Sequence, residues 1–67
     1  MGPAEEAVVL QLRVDVMSAP LHDETLTVFT VHEGTKVRID RLFGEWAEVV
    51  LEDGRVGWVP VEVLETI

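Results

Sequence analysis

Apolar side chains recur at every second position along much of this chain, and that alternation leaves little choice of fold. Val8, Leu10, Leu12, Val14 and Val16 share one face of an extended segment, while Gln11, Arg13 and Asp15 fall on the other. A period of two belongs to a strand with one buried face, whereas a helix needs apolar residues at spacings of three and four. The alternation returns from Thr35 to Arg41, with Val37 and Ile39 inward and Lys36, Arg38 and Asp40 outward. Thr25 to Val31 is apolar on both faces, with Leu26 and Val28 on one and Phe29 and Val31 on the other. That pattern predicts a central strand, or one covered on both sides. Strands are also predicted over Trp46 to Leu51 and Arg55 to Val59, with a last short one at Glu65 to Ile67.

The punctuation between these runs agrees with strands. Ser18-Ala19-Pro20 ends the first, and Glu33-Gly34 and Phe43-Gly44-Glu45 read as turns. Asp53 to Pro60, DGRVGWVP, is the most concentrated signal. Asp53-Gly54 between alternating runs predicts a hairpin, because glycine accepts the positive φ of such turns. Gly57 predicts a place where a neighbouring backbone or ring comes close. Pro60 lacks an N–H and stops the strand. Pro60 to Leu64 then has the length of a single 3₁₀ turn.

With 67 residues and no cysteine, the chain must hold together through one small apolar core. Such a core supplies only about 3–5 kcal/mol of net stability. The 48% hydrophobic content, rich in β-branched valine, suits pleated half-buried surfaces. No repeat or linker interrupts residues 8–67, so a single domain is expected over 7–67. Residues 1–6 read as a frayed acidic lead-in, with Met1-Gly2-Pro3 resembling a cloning remnant. No run approaches the roughly 18 apolar residues of a membrane span, and no signal peptide is visible. Direct membrane insertion by this segment is therefore not expected.

Thirteen acidic residues against five basic ones give a formal charge of −8. That balance argues against nucleic acid and against an anionic membrane surface, since both need a basic face. It fits a solvated acidic surface, or an acidic face that meets a basic partner. Catalysis finds no support. Cysteine is absent, and the lone serine, Ser18, has no glycine loop of the oxyanion type. The carboxylates are spread over outward faces rather than paired in an apolar pocket. His22 and His32 each have an acidic neighbour, but they stand on separate loops without metal-ligand spacing. No enzyme, cofactor or metal is expected.

HEGTKVRI (His32 to Ile39), GEWAEVVLEDG (Gly44 to Gly54) and RVGWVPVEVL (Arg55 to Leu64), taken with their spacing, resemble a bacterial SH3 domain. The likeness covers roughly residues 12–67. The string from His32 onward is further similar to the C-terminal domain of BatE-type aerotolerance proteins, where tetratricopeptide repeats and membrane segments come first. The resemblance implies an all-β, SH3-like, partly open barrel of five or six strands, with a short 3₁₀ turn before the last. It implies binding rather than catalysis, and a place in the periplasm or cell envelope. Two positions match the proline-binding groove of eukaryotic SH3 domains: Trp46 after Gly44-Glu45, and Pro60 in the Gly-aromatic-aliphatic-Pro motif. The chain departs from that groove elsewhere. It has no tyrosine; Val63 stands where a groove tyrosine follows Pro60, and Val16-Met17-Ser18 replaces a tyrosine-rich loop start.

The candidate ligand-binding residues are therefore Trp46, Phe43, Pro60 and Trp58, bordered by the acidic Asp23, Glu24 and Glu45. Each aromatic has a second reading, since tryptophan can close a barrel and Phe43 can fold back to cap its end. Phe29 reads as core, and both histidines as solvated loop residues. The leading expectation is a non-catalytic interaction module of a larger envelope protein, with a basic protein or peptide segment as partner. A domain that targets peptidoglycan peptides and a spacer without a ligand are the alternatives.

Overall fold

A computed structural model describes residues 5–67 of the chain. The expectations for residues 1–4 lie outside the described residues. Seven antiparallel strands form one sheet: β1 Glu5–Val9, β2 Arg13–Met17, β3 Thr27–His32, β4 Lys36–Phe43, β5 Trp46–Leu51, β6 Val56–Pro60 and β7 Leu64–Thr66. Two 3₁₀ turns, Glu24–Leu26 and Val61–Val63, precede β3 and β7. The spatial order is β3-β2-β6-β5-β4-β1-β7. The sheet wraps around its own core, with β3 and β7 as its two ends. This is the all-β, small, partly open barrel expected of an SH3-like chain, with the 3₁₀ turn before the last strand in place. Glu5 and Glu6, read from sequence as lead-in, belong to β1, where they pair with Ile39 and Arg38.

The strand count rises to seven because the expected long strand beginning at Val8 is two. The even-numbered alternation runs unbroken through the sequence, but the burial does not follow it. Ala7 and Val9 face the core in β1, and Val14 and Val16 do so in β2. The inward parity flips across Leu10–Leu12, and Leu12 is left 78% exposed. Hydrogen bonding explains the break. Leu10 N–H donates to Val63 O at 2.8 Å, and Glu33 N–H donates to Leu12 O at 3.3 Å. Between those two bonds the backbone leaves the β7 side of the barrel and joins β3.

Two further readings are corrected. β3 is an edge strand, neither central nor covered on both sides. Its inner face holds Val31 and the half-buried Phe29, while Val28 is 52% exposed and Leu26 belongs to the preceding 3₁₀ turn. The Asp53-Gly54 hairpin exists, but its loop is three residues long and includes Glu52. Gly54 N–H donates to Leu51 O and Leu51 N–H to Arg55 O. Gly54 takes a φ of 92°. A turn followed by a glycine in the left-handed region is the usual three-residue solution.

Eight of the eleven clustered core residues are valines and the rest are Ala7, Ala47 and Leu51. Among the described residues, no polar or charged one is buried. Small β-branched side chains make up most of the core, and Phe29 packs against it from β3. Trp46 and Trp58 alternate with the buried Ala47, Gly57 and Val59 and so stand on the outer face, half-buried. Among the described glycines, Gly57 is the one without room for a β-carbon. A β-carbon on it would overlap Val16 Cγ1 and lie 3.1 Å from Met17 O. β2 therefore presses onto β6 here, as the glycine's place in the sequence predicts, and the two strands share the Met17–Trp58 register pair.

Candidate functional site

The β4–β5 turn consists of Gly44 and Glu45, so Phe43 and Trp46 stand opposite each other at its base. Trp46 is in turn opposite Pro60 on β6. The next pair along, Ala47 and Val59, points into the core. Alternation then puts Phe43, Trp46 and Pro60 in one row on the outside of the sheet. Val61 N–H donates to Glu45 O at 2.8 Å, which ties the second 3₁₀ turn to the β4–β5 turn. Two short connections are thus locked together beside one tryptophan.

The third wall comes from the loop between β2 and β3. His22 reaches Trp46, with ring centroids 4.6 Å apart and planes inclined by 51°. That loop is shaped by its own hydrogen bonds. Asp23 Oδ1 accepts from Thr25 N at 3.0 Å and from Thr25 Oγ1 at 2.7 Å. These two bonds, the hydroxyl first, hold the Asp23 carboxyl below its ordinary value. Leu26 N–H donates to Asp23 O at 2.9 Å and closes the first 3₁₀ turn. His22 is thereby presented at the start of an ordered turn.

Together these elements enclose an open groove of about 480 Å³ lined by His22, Gly44, Glu45, Trp46, Pro60, Val61 and Glu62. Its apolar surface is indole, proline and valine, and its charged residues are Glu45 and Glu62. Among the described residues, neither glutamate is in an ion pair, and no lysine or arginine lines the groove. Among the described residues, no three histidine or carboxylate side chains gather as a metal site would require.

The sequence candidates divide into three groups. Trp46, Pro60 and Glu45 line the groove. Phe43 and Trp58 flank it. Phe43 is the last residue of β4 rather than part of the turn, and at 64% exposure it does not fold back over the barrel end. Trp58 lies one outward pair further along β6, opposite Glu48. Arg41 covers it at 5.8 Å and makes a two-pronged contact with Glu48, with Nε–Oε1 at 2.7 Å and Nη2–Oε2 at 3.3 Å. That hydrogen bond, before the Coulombic attraction, lowers the Glu48 carboxyl against the opposing effect of burial. Asp23 and Glu24 belong to the third group. They stand in the adjacent loop without lining the groove, and Asp23 is occupied with Thr25.

His22, Val61 and Glu62 line the groove and were not among the candidates. Val61 and Glu62 follow Pro60 directly, so a 3₁₀ turn starting at a groove proline was a usable signal for them. His22 carries no local signal, because its approach to Trp46 depends on how the β2–β3 loop folds over the barrel. No protein-family model matches the chain, and no curated protein matches it in sequence.

Proposed function

We propose that this domain is a non-catalytic interaction module whose groove takes a basic peptide segment. The observation that carries the proposal is the pairing of a half-buried indole and a proline with two glutamates that have no cationic partner among the described residues, all beside two turns locked to each other. Apolar contact with Trp46 and Pro60 supplies affinity, and Glu45 and Glu62 select a cationic side chain. The net charge of −8 steers such a segment toward the molecule. The resemblance to bacterial SH3 domains supports the same class of function, and by analogy of fold it favours a larger cell-envelope protein as the setting of the module.

The absence of tyrosine separates this groove from one built for proline helices, which dock between aromatic ridges. A titration with lysine- and arginine-bearing peptides, followed by tryptophan emission and backbone amide shifts, tests the reading. Shifts concentrated at Glu45, Trp46, Val61 and Glu62 are expected. Peptides that leave all four unmoved at millimolar concentration would sink it. Amine-bearing peptidoglycan stem peptides form a separate arm, because the same glutamates suit a free amine.

A further inference from the structure

The groove already contains a ring. His22 leans on Trp46 with its ring tilted, and it is the one groove-lining side chain able to gain positive charge. We infer that His22 is a built-in competitor for the Trp46 face, so that protonation of this histidine closes the groove to basic ligands. The inference rests on the reading of the groove as a site for basic segments.

The charged residues that line the groove with His22 are both acidic. Glu45 comes from the β4–β5 turn and Glu62 from the second 3₁₀ turn. Asp23 and Glu24 follow it in its own loop, with the Asp23 carboxylate fixed by Thr25. The Trp46 face is the remaining neighbour, and a cation over an indole gains attraction from the ring quadrupole. Imidazole changes charge between pH 5 and 8, where other ordinary side chains do not. At the upper end of that range the neutral ring holds Trp46 by packing alone, and an incoming lysine or arginine displaces it. At the lower end histidinium occupies the place between indole and glutamates that the ligand's cation needs. The two cations then compete for one subsite.

The contact is tested first without any ligand. The Trp46 indole N–H shift of the intact chain, followed by NMR from pH 8 to pH 5, should move in step with the His22 imidazole resonances. Replacing His22→Gln should abolish that step, and replacing His32→Gln should leave it. A step that persists in H22Q assigns it to the carboxylates and overturns the inference. The second arm measures binding of a lysine-bearing peptide at both ends of the range. From pH 8 to pH 5.5 the wild-type chain should lose about two- to fivefold more affinity than H22Q. Equal losses in the two chains overturn the competition while leaving the groove reading intact. No binding by either chain at any pH overturns the groove reading, and the competition with it, even where the ligand-free step is seen.

Discussion

Val16 occupies the space that a side chain on Gly57 would need. Val16 is fully buried, and Met17 O stands close on the same side, so neither neighbour can withdraw cheaply. Replacing Gly57→Ala should therefore destabilise the domain by roughly 1–3 kcal/mol, the usual cost of overfilling a packed site. Urea denaturation checks the figure. A compensating Val16→Ala in the same chain should recover part of the loss, because the two positions share one volume. A neutral G57A would mean that β2 is free to move off β6.

Removing the indole should separate binding from folding. Trp46 is half-buried on the outer face, and the valine core closes without it. Trp46→Ala is expected to weaken a basic peptide by roughly 2 kcal/mol, the scale of an interfacial hot spot, while thermal unfolding remains cooperative. Trp58→Phe should bind nearly as the wild type does, since Trp58 flanks the groove under Arg41. Calorimetric titration of both variants distinguishes the two tryptophans.

Acid should weaken the domain mainly through Glu48, with smaller parts from Asp23 and Asp53. The Arg41 hydrogen bond lowers Glu48, the Thr25 hydroxyl lowers Asp23, and the Arg55 backbone N–H lowers Asp53. Each therefore binds its proton less readily in the folded than in the unfolded chain. Their stabilisation is complete above the unfolded carboxylate range, about pH 4, and is lost as pH falls through the lower folded values. Glu48→Gln should flatten this acid limb most, because the Glu48 side chain is only 13% exposed and the other two stand in solvent. Urea midpoints measured from pH 7 to pH 2 test the sign and the ranking.

Asp23 should matter for order in the loop more than for stability. Asp23→Ala deletes both bonds to Thr25 and leaves the Leu26–Asp23 backbone bond as the turn's closure. The expected outcome is a weaker nuclear Overhauser effect between the His22 and Trp46 rings with little change in thermal midpoint. An undiminished effect would show that the loop holds its shape without the aspartate.

How legible these features are in the sequence depends on whether their cause is local. β4, β5 and β6 follow the alternation closely, since each pairs with a chain neighbour through a short turn. Gly57 was readable because a glycine inside a strand forfeits side-chain packing, and a close backbone approach is what commonly requires it. The break at Leu10–Leu12 was not readable. Leu10 and Leu12 continue a regular pattern, and the parity flip is imposed by the carbonyl of Val63 and the N–H of Glu33, both distant in sequence. The edge position of β3 escaped for a related reason. Phe29 and Val28 read as two buried faces, yet the outer face is left open, and Arg55 lies 4.5 Å over the Phe29 ring. At the site, Trp46, Pro60 and Glu45 follow from one short motif, whereas His22 arrives from another loop.

Among the described residues, Met17–Trp58 is the one register pair joining β2 and β3 to the other five strands. It has a consequence for how the molecule breathes. A two-strand flap held by so short a ladder is the natural unit of sub-global opening, and its amides should exchange with deuterium before those of β4 and β5. The groove straddles that hinge line, with His22 on the flap side and Trp46, Pro60 and Glu62 on the other. A ligand gripping both banks acts as a staple, and its binding energy should appear as slowed exchange along β2 and β3, beyond the loop that it touches.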